Sequence, residues 1–406
     1  MRLVVHDYGG YAFPVQLSRA LAAAGHQVLH LYAAFLQTPR GSLNRLPSDP
    51  ATFGVKGLQL SQPFRKHALL KRHFQEKAYG RILAGEVAAF RPDAVISANT
   101  PLESQARLLK ACRSLHIGFI FWMQDVYGLA VHRLLPRRLP ILGSLIGRYY
   151  MWLERRLCQK SDSVVVITED FRPFLESWGV PADRIHAIEN WAPLDESPLL
   201  PKDNAWSRAH GLADKLCLLY SGTLGMKHNP SLLLRLAGAL RDREDVRVVV
   251  ISEGPAFDWL CNQREEHGLR HLILMRFQPF EVLPQVLASA DVLLGILERD
   301  AGVFSVPSKV LTYLCAARPL LLAMPSENLA ARIVSKAGAG VVVQPDDEDG
   351  FVREAIRLLG SAALRGEMAL RGRRHAEREF DILAKRAQFE KLFENLRGKA
   401  SVASIR

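Results

Sequence analysis

The chain has 406 residues, of which 49% are apolar and 23% are charged, so it is long enough for two globular domains and too apolar to be disordered. Lys and Arg outnumber Asp and Glu by 53 to 41. The whole excess lies in residues 1–160, which hold 22 basic and 8 acidic side chains. This charge indicates an anionic partner for the N-terminal part of the chain.

The basic residues of that part form two clusters that are interleaved with Leu, Ile, Tyr and Trp. They are Arg65, Lys66, Lys71, Arg72 and Lys77, and then Arg133, Arg137, Arg138, Arg148, Arg155, Arg156 and Lys160. This mixture favours an anionic membrane surface over nucleic acid. No apolar run reaches the roughly 18 residues that a membrane span needs. We therefore expect peripheral attachment to the inner face of the cell membrane.

The five cysteines predict reduced, mostly buried thiols, because their number is odd and they show neither CxxC nor metal-ligand spacing. The N-terminal residues MRLVVHDYGG run directly into a glycine turn and predict a strand instead of a signal peptide. A cytoplasmic location follows as an expectation. We predict no metal and no cofactor.

Short apolar runs alternate with helical patterns along most of the chain. The first β-α-β unit is LVV (3–5), VQLSRALAAAGH (15–26) and QVLHLY (27–32), and the rhythm restarts at LCLLYSG (216–222). Strands that are apolar on both faces predict parallel sheets covered by helices. The fold class is therefore α/β, with two facing Rossmann-like domains and an interdomain cleft.

The Pro-rich stretch 190–204 is the predicted linker between these domains. We predict an N-terminal domain over 1–190, a nucleotide-binding domain over 205–350 and helices over 351–406, the last of which packs back on the N-terminal domain. Open α/β sheets bind ligands beyond the carboxyl ends of their strands.

Two glycine loops follow strands that open the two domains. Gly9 and Gly10 come after the first strand, where they allow a backbone to approach a phosphate or a sugar, or simply form a tight turn. The pattern is not GxGxxG, which disfavours a dinucleotide oxidoreductase. The second loop, 221–229, carries Lys227, which suits a nucleotide diphosphate unless it is a solvated loop lysine.

A third segment, Val306-Pro307-Ser308-Lys309, precedes another helix. Ser308 is placed as the N-cap and Lys309 in the first turn, where a cation is disfavoured unless an anion binds there.

With these loops, the segments YSGTLGMKHNPSLLL, ISEGP and VPSKVLTYLCAARPLL make the chain resemble the family 4 glycosyltransferases of the GT-B fold. Within that family it is most similar to glycosyltransferases assigned to colanic-acid, or exopolysaccharide, biosynthesis. The resemblance covers nearly the whole chain. It implies transfer of a sugar, with retention and without a metal, from a nucleotide diphosphate sugar to a lipid-linked oligosaccharide.

The resemblance also implies donor-binding residues. Gly9 and Gly10 match the loop that faces the diphosphate, Gly222 opens the second loop, and Lys227 matches the lysine that neutralises the diphosphate. Thr223 stands where many members have an Arg. We expect Lys309 to replace this missing cation.

A second departure concerns two family glutamates, whose positions here are Phe304 and Thr312. Donor contacts must then come from other groups. The expected ones are Ser308 and Glu253, with Glu298 as a further carboxylate near the cleft.

Asp125 matches the place where relatives have an Asp or His near the acceptor, and it is the candidate catalytic residue, although a turn or cap role is equally open. His6, Asp7 and Asn99 end neighbouring strands and are candidates for acceptor contacts. Asn190 matches a family asparagine that we interpret as structural.

We thus predict a glycosyltransferase that uses a GDP-sugar or, next in order, a UDP-sugar. The alternative is a nucleotide-sugar binding or epimerising protein on the same fold, because fold alone does not fix the reaction. A nucleic-acid-binding protein ranks last, since we find neither stacking platforms nor a groove-entering helix.

Overall fold

A computed structural model describes residues 1–36, 40–65, 68–137, 139–225 and 227–403. The chain divides into two compact units. Unit 1 comprises Met1–Asn190 and Asp381–Arg406, and unit 2 comprises Trp191–Phe380.

Unit 1 is built on a parallel sheet whose strands are apolar on both faces, as in the fully buried run of residues 94–98. Its strands are β1 (Arg2–Asp7), β2 (Gln27–Ala33), β3 (Phe53–Leu58), β4 (Ala94–Ala98), β5 (Gly118–Met123), β6 (Ser163–Val166) and β7 (Ile185–Ala187). Its first helices are α1 (Ala12–Ala23), α2 (Leu69–Phe90), α3 (Leu102–Ser114), α4 (Tyr127–Leu134), α5 (Pro140–Lys160) and α6 (Arg172–Ser177). The sheet order is β3-β2-β1-β4-β5-β6-β7.

Unit 2 repeats this plan around a core rich in Leu and Val. Its strands are β8 (Leu216–Ser221), β9 (Val246–Ile251), β10 (Leu272–Met275), β11 (Val292–Ile296), β12 (Leu320–Ala323) and β13 (Gly340–Val343). Its helices are α7 (Ala205–Ala209), α8 (Ser231–Ala239), α9 (Pro255–Glu266), α10 (Leu283–Ala288), α11 (Lys309–Cys315), α12 (Leu329–Ala337), α13 (Glu348–Leu359) and α14 (Ala362–Glu379). The strand order is β10-β9-β8-β11-β12-β13, again parallel.

The last helix, α15 (Ile382–Ala403), belongs to unit 1 and packs on α1. The Phe389 ring meets the buried Trp122 ring edge to face, with centroids 4.9 Å apart. Nε2 of His26 lies 3.2 Å from a carboxylate oxygen of Glu390. Aromatic packing therefore fixes this helix to the side of the sheet that carries Trp122.

The α/β prediction with two parallel sheets is confirmed. In each sheet the strand order reverses at one place, between β1 and β4 in unit 1 and between β8 and β11 in unit 2. The loops that follow these strands diverge there and leave room for a ligand. The two glycine loops follow β1 and β8.

Candidate active site

The turn after β1 is organised by the buried carboxylate of Asp7. It accepts hydrogen bonds from the backbone N–H of Tyr11 and, at 2.7 Å, from the side-chain amide of Asn99. The N–H groups of Gly9 and Gly10 also donate to it. Burial raises the pKa of Asp7 to about 7, against the opposing effect of these donors.

Both glycines are needed for this turn. A Cβ on Gly9 would lie 2.2 Å from the Tyr11 ring, and Gly10 has φ +68°. Asn99 is itself left-handed, with φ +52°, a conformation that Asn tolerates better than most residues. The sequence predicted the glycine turn but gave no sign that Asp7 holds it.

His6 is fully buried and points into the protein. Its Nδ1 lies 2.9 Å from Oγ1 of Thr100 and 3.1 Å from Oγ of Ser97, and its Nε2 lies 2.9 Å from the hydroxyl of Tyr79. Burial, followed by the effect of His30, lowers its pKa to about 3. A neutral imidazole with both nitrogens bonded inside unit 1 orients neighbouring strand ends, so we reassign His6 and Asp7 from acceptor contact to support of the turn.

We expect Asn99→Ala to lower the free energy of unfolding by about 1–3 kcal/mol, because it leaves a buried Asp7 oxygen without its donor. Alanine at φ +52° adds backbone strain. Chemical denaturation measures the loss. Asn99→Gly is the control, because it also removes the donor but adopts the positive φ of this position without strain. Equal stability of the alanine variant and the wild type would contradict this role.

Asp125 follows β5 and is partly buried. Its charge raises the pKa of Tyr11 and of Glu154, in each case after the larger effect of burial. Next to it, Gln124 and Asn190 face each other through their amides, with Nδ2 of Asn190 2.6 Å from Oε1 of Gln124. Asp125 therefore lies near the turn after β1.

Glu154 is a group that the sequence reasoning missed. It is buried on α5 and accepts from the backbone N–H groups of Tyr127 and Gly128, at 3.0 and 2.8 Å, at the start of α4. Burial raises its pKa to about 8. The sequence signal for this role was a single Glu among the residues of α5 that face the protein interior.

In unit 2, the loop after β8 brings together Gly222, Lys227 and Lys309. Gly222 has φ +141°, and a Cβ there would lie 2.7 Å from Nζ of Lys309. Nζ of Lys227 donates to the hydroxyl of Ser305 at 2.5 Å. The backbone N–H of Glu298, just after β11, donates to the carbonyl of Lys227 at 3.0 Å. The side-chain amines of two lysines thus meet at the strand-order reversal of this sheet.

The other donor candidates lie in this loop, after β9 and just before α11. Thr223 and Ser308 are exposed, and the side chain of Ser308 does not cap α11. Glu253 is partly buried and follows Ser252, whose hydroxyl accepts from the N–H of Leu224 at 3.1 Å. Phe304, at the position of a family glutamate, is in the core.

Supporting residues that the sequence did not indicate hold the loop in place. The hydroxyl of Tyr313 accepts from the N–H of Ser221 and donates to its carbonyl, both at 2.9 Å. Tyr220 donates its hydroxyl to the carbonyl of Thr223 at 2.9 Å. His228 accepts from the N–H of Gly225 at 3.0 Å through Nδ1.

A separate surface of unit 1 lies on α5. Its outward side carries Ile141, Leu142, Leu145 and Trp152, which are 81%, 57%, 59% and 52% exposed. We call these four residues the apolar face. The exposed side chains of Arg148, Arg155 and Arg156 lie among them.

On the other side of α5, Gly143 and Gly147 pack closely against the preceding turn and α4. Leu70 and Phe74 on α2 are also strongly exposed. Lys66 and Arg138 of the predicted basic clusters lie outside the described residues. In the part of the chain that the structure describes, no helix is long and apolar enough to span a bilayer, and no group of His, Cys, Asp and Glu is arranged to hold a metal ion.

Two family models match the chain: the glycosyl transferase 4-like domain over residues 9–191 and the glycosyl transferases group 1 over residues 202–375. The chain therefore belongs to the family 4 glycosyltransferases, with the GT-B fold. It is 23% identical over 223 residues to WcaI of Escherichia coli K12, which is described as a putative colanic acid biosynthesis glycosyl transferase. The match spans 53% of this chain and 54% of WcaI, about half of each.

Solved structures show the same fold over nearly the whole chain. Sucrose-phosphate synthase from Thermosynechococcus elongatus superposes with a TM-score of 0.74 at 14% identity, covering 98% of this chain and 100% of that one. The HepE protein of Anabaena, in complex with UDP-glucose, superposes with a TM-score of 0.69 at 13% identity and the same coverage. The predicted family and fold are confirmed.

Proposed function

We propose that the protein transfers a sugar, with retention, from a nucleotide diphosphate sugar to a lipid-linked oligosaccharide in exopolysaccharide or cell-surface polysaccharide biosynthesis. The observation that carries the proposal is the pair of lysine side chains, Lys227 and Lys309, beside Gly222 at the strand-order reversal of unit 2. The half-length similarity to WcaI supports the biosynthetic setting.

In this proposal the donor diphosphate lies against the loop after β8. Lys227 and Lys309 neutralise the charge of the diphosphate. Because Gly222 has no side chain, the backbone of the loop can approach the phosphate closely. Lys309 takes the place of the Arg that Thr223 replaces. The hydroxyl of exposed Ser308 is the proposed donor to a phosphate oxygen, and the carboxylate of partly buried Glu253 is the proposed acceptor from a donor hydroxyl. A GDP-sugar is the first candidate donor and a UDP-sugar the second, the latter supported by the ligand of HepE.

Chemistry in this proposal takes place at the anomeric carbon of the donor sugar. The acceptor hydroxyl oxygen bonds to that carbon on the face from which the diphosphate oxygen leaves, so configuration is retained. The acceptor proton passes to Asp125 or to the departing phosphate oxygen. The two lysines stabilise the negative charge that develops on the leaving group, which lets the reaction proceed without a metal.

The acceptor side of the proposal rests on unit 1. The apolar face, formed by Ile141, Leu142, Leu145 and Trp152, enters the headgroup region of an anionic inner leaflet. The arginines among these residues pair with lipid phosphates. This places the enzyme where a lipid-linked acceptor would be. All five cysteines are free thiols, and four of them are buried.

Thermal shift with GDP, UDP and ADP tests the donor site. A nucleotide that binds only the folded protein at about a hundred times its Kd stabilises it by about 2.7 kcal/mol. We expect one of the three to raise the Tm of the wild type and to lose this effect in Lys227→Met. Lys215→Met, which alters a lysine that lies 3.5 Å from Asp214, is the matched control. If none of the three shifts the Tm, the proposed donor site is wrong.

A further inference from the structure

We propose that binding of the donor diphosphate in unit 2 is coupled to uptake of one proton by the side chain of Lys309, which is a neutral amine in the free protein and an ammonium in the complex. This inference rests on the proposed function, because it concerns the same site. It adds a linkage between pH and donor affinity.

The geometry around Nζ of Lys309 lacks what an ammonium requires. Among the described residues, this buried atom has no hydrogen-bond acceptor. It lies 2.7 Å from the position of a Cβ on Gly222 and 3.6 Å from the centroid of the Tyr220 ring, a cation–π contact that replaces only part of the solvation that a buried ammonium loses. A buried ammonium without an acceptor costs more than a neutral amine, which needs less solvation.

The charged and titratable groups around Lys309 also favour its neutral form. Lys227 and His228 approach it from the loop, Tyr220 from β8, and Tyr313 lies on its own helix. Burial, followed by the charge of Lys227, holds the pKa of Lys309 well below its usual range. Burial is the main cause that lowers the pKa of His228 to about 2, so His228 is neutral and supplies no acceptor charge. The pKa values of both tyrosines are raised by burial, so neither supplies a negative charge.

A bound diphosphate changes both the hydrogen bonding and the electrostatics around Nζ of Lys309. Its oxygens give Nζ the acceptors that the free protein lacks, and its negative charge offsets the repulsion from Lys227. A proton from solvent then bonds to the Nζ lone pair, and no other bond is made or broken. Because binding consumes a proton, affinity falls as pH rises between the pKa of the free and the bound states, by up to about tenfold per pH unit.

Isothermal titration calorimetry of the full chain with GDP and with UDP tests the proposal. Titrations at about pH 8, where a terminal phosphate of pKa near 6 is already ionised, are compared in HEPES and in Tris, whose ionisation enthalpies differ. The dependence of the observed heat on the buffer gives the number of protons taken up. We expect about one proton per nucleotide for the wild type.

Three variants separate the outcomes. Lys309→Met should bind more weakly and without proton uptake, and Lys309→Arg should bind without uptake because it is always charged. Lys227→Arg should keep the uptake. Binding by the wild type with no dependence on the buffer, or uptake that persists in Lys309→Met, would overturn the inference but not the donor site. If neither nucleotide binds, the inference fails together with the proposed function.

Discussion

Replacing Ile141, Leu142 and Leu145 together by serine is expected to release the protein from vesicles of phosphatidylglycerol and phosphatidylethanolamine. These side chains are 81%, 57% and 59% exposed, so each has a large apolar area that only an external partner can bury. At about 1 kcal/mol or more for each side chain, the partition coefficient should fall about a hundredfold. Co-sedimentation with vesicles measures it.

The matched control is a triple serine variant of Ile356, Leu370 and Leu383, which are 45%, 50% and 58% exposed and lie on other helices. This variant should bind vesicles like the wild type. Raising the salt should weaken binding of the wild type, because the arginines beside the apolar face act through screened charge. Equal loss in both triple variants would show that exposed apolar area in general, and not this face, causes binding.

Lys309→Met is expected to make the free protein more stable, the opposite of what most substitutions do. The variant removes a buried nitrogen without an acceptor and keeps a chain of similar length over the Tyr220 ring. We expect a gain of about 1–3 kcal/mol in the free energy of unfolding. Thermal and chemical denaturation without nucleotide measure this gain.

The pH dependence of the gain has a defined sign. The pKa of Lys309 is lower in the folded state than in the unfolded state, so between the two values the unfolded chain binds one proton more. The stability of the wild type therefore rises with pH in that range, and the advantage of the methionine variant shrinks as the pH rises toward the ordinary pKa of a lysine, about 10.4.

Lys227→Met is the control for this prediction. Nζ of Lys227 has the Ser305 hydroxyl as a partner, so its loss should bring no gain in stability. A decrease in Tm for Lys309→Met comparable to that of a core truncation would contradict the prediction. It would mean that the Lys309 nitrogen has an acceptor in solution.

The sequence allowed most of the sheet architecture to be predicted, because each central strand is apolar on both faces. The run QVLHLY predicted β2, which is Gln27–Ala33, and LVV predicted β1, which is Arg2–Asp7. The edge strands β3, β7 and β13 were missed, since β3 is interrupted by Gly54 and Gly57, and β7 and β13 are short runs of three and four residues. A short edge strand forms because it pairs with a neighbouring strand, and the local sequence carries no information about that pairing.

The candidate site could likewise be predicted only in part from the sequence. Gly222 and Lys227 are near in sequence and could be grouped by spacing, and Lys309 was proposed as a substitute from the missing Arg. That Lys309 Nζ lies against Gly222 and above Tyr220 depends on how α11 packs beside β8, which no local pattern encodes. For the same reason, burial of both nitrogens of His6 was not foreseen.

Unit 1 takes its strands from one end of the chain and α15 from the other, with the whole of unit 2 between them. A ribosome completes all strands of unit 1 before it makes Phe389, the residue that covers Trp122. Unit 2, which is continuous from Trp191 to Phe380, has every residue it needs before α15 emerges. All residues of unit 2 are therefore made before the helix that covers Trp122, so the unit that begins first is the last to have its full set of residues.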